Sequence, residues 1–135
     1  MAPDVGDEVA SDNARSRGSS HGAVLLAISN AMVRLHKEYF GKGPTKARAY
    51  YEGDVVTCVL SDVYTRAELT LLAGGREATV LRQRWELQEV VRDEFVSAVE
   101  RITGRTVIGF FSGNQADPDM SVVVFVLAPM DGDGS

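Results

Sequence analysis

At 135 residues, with 44% hydrophobic and 24% charged residues, the chain has the make-up of one ordinary globular domain with room for a sizeable core. The formal charge of −5 sits partly at the ends, in Asp4, Asp7, Glu8 and Asp12 against Arg15 and Arg17, and again in Asp131 and Asp133. The stretch between is close to neutral, which argues against a dedicated nucleic-acid binder and its basic footprint. The single cysteine, Cys58, rules out an intramolecular disulfide and any multi-thiolate metal site. No apolar core of a signal peptide stands near the start, and no apolar run approaches the length of about 18 residues that crosses a bilayer. The expectation is a cytoplasmic protein that is not integral to a membrane.

Residues 1–19 are acidic, rich in Gly and Ser and poor in large apolar side chains, so they are expected to form a tail. Residues 129–135 read as a second tail, which leaves 20–128 as the domain. A first helix is predicted from a cap near Ser20 to Tyr39 or Phe40. Leu25, Ile28, Met32, Leu35 and Tyr39 fall on one stripe, while Arg34, Lys37 and Glu38 lie opposite. Gly41 has the place of a left-handed C′ residue, and Pro44 forbids continuation. Two strands follow, Lys46 to Tyr51 and Val55 to Leu60, joined at Glu52-Gly53-Asp54. The second is apolar on both faces.

Thr65-Arg66-Ala67-Glu68 is a capping box and opens a short helix, 66–73, closed by Gly74-Gly75. A long helix is predicted from about Glu77 to Thr103. Its buried stripe is read as Leu87, Val91, Phe95, Ala98 and Ile102, extended toward the start by Leu81 and Trp85, with Gly104 as its C′ residue. The arginines among its acids, Arg82, Arg84, Arg92 and Arg101, read as a solvated face. For Arg84 a second option is a position toward the sheet, where it would require a partner such as Glu68. Strands at 106–112 and 120–127 close the chain around a loop dense in turn formers, 113–119. The last strand is again apolar on both faces.

The predicted architecture is therefore α+β, a single two-layer domain of order α-β-β-α-α-β-β, with a mainly antiparallel four-stranded sheet packed by helices. Strand order stays open. Antiparallel sheets usually keep one face polar, yet two of these strands do not. Either helices cover both faces, or a second subunit buries one; the homodimer is preferred because exposed apolar patches mark interaction sites.

Only one stretch has the look of a ligand site. In Gly41-Lys42-Gly43-Pro44-Thr45-Lys46-Ala47-Arg48 the glycines allow close approach, and Lys42, Lys46 and Arg48, with His36 nearby, could hold a small anion. It is not a phosphate-binding loop of the strand-to-helix kind, since it follows a helix and precedes a strand. A helix cap and turn carrying surface lysines is the preferred reading, because it explains both glycines and the proline. His36 has no ligand set at metal spacing beside it, and Cys58 sits mid-strand like a small core residue. No nucleophile–base set, nucleotide fingerprint or carboxylate pair is recognisable. No catalytic residue, metal or cofactor is expected.

The segments ISNAMVRLHKEYFGKGPTKAR, TRAE with its following leucines, VLRQRW, VERITGRTV and the closing VVVFVL together resemble the MpsC-like family over residues 21–127. These small bacterial domains are named for a sodium-translocating, membrane-potential-generating system. The matching positions are Gly41, Gly43, Pro44, Lys46, Arg48, Thr65, Glu68, Arg84, Glu100 and Gly104. The resemblance implies an accessory or regulatory role beside a membrane ion or inorganic-carbon system, with a protein partner at or near the membrane. It implies no catalytic set. A small-anion- or metabolite-binding enzyme or sensor, using the 41–48 loop with His36, is the alternative.

Overall fold

A computed structural model describes residues 19–130, and the expected tails lie largely outside that range. The elements are α1 (Ser19–Phe40), β1 (Lys46–Glu52), β2 (Val55–Ser61), α2 (Arg66–Ala73), α3 (Glu77–Thr103), β3 (Val107–Gln115) and β4 (Met120–Leu127). The class and order are those predicted. The sheet order, β1-β2-β4-β3, is antiparallel throughout. The two strands that read as apolar on both faces, β2 and β4, are the two central strands, flanked on either side by a neighbour.

Of the described helices, α1 and α3 pack on one face of the sheet, and α2 packs against α3. Ala47, Ala49, Val56, Cys58, Leu60, Phe110, Val123, Phe125 and Leu127 point into them and are buried. From the helix side come Leu25, Ile28, Met32 and Leu35 of α1 and Val91, Phe95, Ala98 and Val99 of α3. A chain of aromatic contacts runs through the middle, from His36 and Phe40 to Phe95, then Phe110, then Phe125.

Gly41 and Gly104 take positive φ of 87° and 73° after α1 and α3, the C′ roles read from the sequence. Four details differ. Ser20 lies inside α1 and is not its cap. Tyr39 is half-buried, and the neighbouring Phe40 takes the core position. β3 runs on to Gln115, because pairing of Gly113, Asn114 and Gln115 with Val122, Ser121 and Met120 of the apolar β4 overrides their turn preference. Finally, Trp85 is 56% exposed and Leu81 only half-buried; the first half of α3 buries Val80, Arg84 and Gln88 instead.

Candidate functional site

The polar groups drawn from the capping box and from α3 meet beneath α2. Thr65 caps α2 through both bonds of the box: its hydroxyl accepts from the Glu68 amide, and its own amide donates to Glu68 Oε1 at 2.8 Å. Glu68 also accepts from Arg84, at 2.9 Å from Nε and 2.6 Å from Nη2, while Nη2 donates to the Val63 carbonyl at 2.7 Å. The guanidinium, 1% exposed, stands over the rings of Phe40 and Tyr64 at 4.8 and 4.9 Å. Burial alone would push the Glu68 carboxyl up, but the bonds from Arg84 and Thr65 outweigh it and hold its pKa below the usual value. The solvated-face reading of Arg84 is thus corrected to the second option, a sheetward arginine paired with Glu68. A planar, always-charged guanidinium suits such a site because it can satisfy a carboxylate with two bonds.

The 41–48 loop is built into the same end of the molecule. Gly43 packs so closely that a Cβ there would come within 3.4 Å of the Val33 side chain and carbonyl. Lys42 donates from Nζ to the Asp62 carbonyl at 2.5 Å and lies 3.3 Å from its carboxylate. Asp62 has a positive φ of 62°, which aspartate tolerates better than most residues. Asp119 accepts from the Val63 amide at 2.7 Å, and Tyr64 donates its hydroxyl to the Gln115 carbonyl at 2.7 Å. His36 lies elsewhere, in the core at 2% exposure, with Nδ1 2.8 Å from the Met32 carbonyl and stacked on Phe40. Desolvation lowers its pKa to about 4 despite that bond, and nearby Arg84 adds to the effect. Lys46 and Arg48 sit on the open side of β1. They line a groove of about 270 Å³ with Tyr50, Val59, Ser61 and Met120, and neither His36 nor Lys42 reaches its lining.

The second motif, around Gly104, is equally occupied. Glu100 accepts from the Val107 amide at 2.9 Å and so orients the entry to β3. Arg105, which the sequence reading passed over, ties the β1–β2 turn to the end of β4. Its donors reach Asp54 Oδ1 at 2.5 Å, the Gly53 carbonyl at 2.9 Å and the Ala128 carbonyl at 2.8 Å. Cys58 is fully buried, and desolvation raises its pKa to about 12, so it is a thiol at neutral pH. Among the described residues no three His, Cys, Asp or Glu side chains converge on a metal-sized site.

What remains is the sheet face turned away from the helices. Cross-strand register sorts it into four rows: Lys46–Ser61–Met120–Gln115, Arg48–Val59–Val122–Gly113, Tyr50–Thr57–Val124–Phe111 and Glu52–Val55–Val126–Gly109. The valines and Thr57 are half-buried by one another, except Val55 at 41% exposure, while Tyr50 and Phe111 stand out at 48% and 62%. No described helix or strand covers this face. A hollow of about 290 Å³ opens beside Gly113 among Val59, Met120, Ser121 and Val122. The apolar alternation of β2 and β4 announced such a face; Phe111 as its most prominent ring was not singled out.

A family model described as "Na+-translocating membrane potential-generating system (MpsC)" matches residues 20–129. Comparison with the curated proteins and with the solved structures found no match. No helix among the described residues is long and apolar enough to cross a membrane.

Proposed function

We propose, on the premise that this chain belongs to the MpsC family, that it is a non-enzymatic accessory module of a membrane-potential-generating system. It works on the cytoplasmic side as a dimer and engages a protein of that system. The observation that carries this is the open sheet face, whose central valines and Phe111 present apolar surface with no described element over it. The family motifs support it from the other side. Gly41, Gly43, Glu68, Arg84, Glu100 and Gly104 each hold a helix end, a loop or a buried pair in place, which supports structural duties for these matched positions.

The test is complementation. In the source cells, deletion of the gene should lower the sodium-dependent membrane potential read by a voltage-sensitive dye, and the wild-type chain should restore it. Phe111→Asp, on an edge strand and exposed, should fold normally and fail to restore it. Full restoration by Phe111→Asp would sink this reading.

One observation favours a second reading, that of an anion sensor: Lys46 and Arg48 share a groove with Tyr50 and Ser61. Here the anion rests on these two cations, with Lys42 holding the loop through Asp62 and His36 supporting α1 from within. Phosphate or bicarbonate at about 100 times its dissociation constant would then add about 2.7 kcal/mol of stability. The thermal shift should vanish in Lys46→Ala/Arg48→Ala; no shift with either anion would dismiss the reading.

A further inference from the structure

We propose that the occupant of the open face is a second copy of this chain, laid face to face about a two-fold axis lying in the plane of contact. The axis crosses the strands between the Arg48 row and the Tyr50 row. The inference rests on reading that face as the chain's binding surface, and it names what covers it.

A two-fold interface brings each residue onto its symmetry counterpart's neighbour, so the patch must complement itself. Along β1 the open face carries Lys46 and Arg48 at one end and Glu52 at the other, with Tyr50 between. An axis across the strands lays β1 over its own copy in reverse. Lys46 then meets Glu52 of the second copy, and Arg48 meets its Tyr50. The other in-plane axis, along the strands, sets β1 over β3; it places Lys46 against Gln115 and Glu52 against Gly109, with no opposite charge for either. Charge complementarity selects the first.

Shape selects it as well. The same operation carries Phe111 over Gly113 of the second copy, where no side chain stands and the 290 Å³ hollow opens. An apolar cavity of about 150 Å³ accepts a benzene ring, so this hollow has room for the phenyl group. By symmetry the contact occurs twice. Where the axis crosses the two central strands, Val59 faces Thr57 and Val122 faces Val124 of the second copy, side chains short enough for sheets to stack at about 10 Å. The strands themselves resist pairing edge to edge. β1 is charged along its open side, and β3 has a bulge between Val107 and Gly109. The footprint, four strands by seven residues or about 19 by 24 Å, is small for a stable interface and falls in the size class of weak, reversible associations.

Sedimentation velocity on the full chain, from one to several hundred micromolar, tests this. The wild type should pass from monomer to dimer. Lys46→Glu alone or Glu52→Lys alone sets like charges opposite at two places and should weaken association about tenfold or more. Lys46→Glu/Glu52→Lys should return it to within about threefold of wild type. Gly113→Leu, whose Cβ meets nothing closer than Val122 at 3.6 Å, should fold and lose the dimer by filling the hollow. Circular dichroism melts confirm each fold. A wild type that stays monomeric, or a double variant as weak as its two singles combined, overturns the proposal. Monomers together with an inactive Phe111→Asp would mean another protein uses the face, which overturns the second copy, and the dimer with it, and leaves the accessory role through that face standing. Normal charge-swap behaviour with a fully active Phe111→Asp would do the reverse.

Discussion

His36 is an imidazole that the fold keeps uncharged. Its pKa is lowered to about 4 by burial, against about 6.5 in an unfolded chain. Between those values the unfolded state binds a proton that the native state does not, so stability falls as pH drops through that window. The loss is ~3 kcal/mol at its full extent, and none of it is present above about pH 7. Other groups also respond to acid, so the comparison must be internal. His36→Phe keeps the stacking position against Phe40 and removes the proton site. Urea unfolding at pH 7 and pH 4.5 should show a smaller loss in the variant than in the wild type. Equal losses would mean that His36 does not titrate in this way. The same burial explains why sequence alone drew His36 toward the anion loop: a lone histidine on a helix shows its chemistry in the sequence and its desolvation only in the fold.

At the scale of elements, α2 is held to α3 by one buried pair. Removing either partner leaves the other's charge without its mate, which costs about 3–5 kcal/mol in such settings. Arg84→Ala and Glu68→Ala should each lower the unfolding free energy from urea titration by that much, whereas Arg84→Met, combined with Glu68→Gln, should cost clearly less. Singles no worse than the double would show that the pair does not carry the docking. Glu68 also gives the pair its acid limit. Its pKa is depressed, so the pair's contribution is intact above the ordinary carboxylate range and disappears as pH falls through the lower folded value. Helix ends, hairpins and element order were legible because Gly41, Gly104, Pro44 and the Thr65–Glu68 box encode them locally. The first half of α3 was not. Arg84 and Trp85 are adjacent, either could face inward, and hydrophobicity favoured the tryptophan. The decision lies with Glu68, 16 residues earlier, whose carboxylate is in place only once α2 has docked.

For the molecule as a whole, the apolar sets of β2 and β4 pointed to a sheet with two dry faces; the helices cover one, and no described element covers the other. The strand order itself was not legible. Hairpins specify β1–β2 and β3–β4, but the pairing of β2 with β4 depends on helices that span the sequence between them. The candidate site was legible only in part. Lys46 and Arg48 face the groove as basic residues on an alternating strand should, while the notch at Gly113 emerges only from cross-strand register.

The position of the single tryptophan gives this molecule a built-in optical asymmetry. Trp85 stands 56% exposed on the helical side, so its emission is already that of a wetted indole and will change little on unfolding. A second copy stacked on the sheet would leave it dark to the event. A protein closing over α3 would dry the ring and shift its emission to the blue. One fluorescence spectrum thus reports from which side the molecule has been approached.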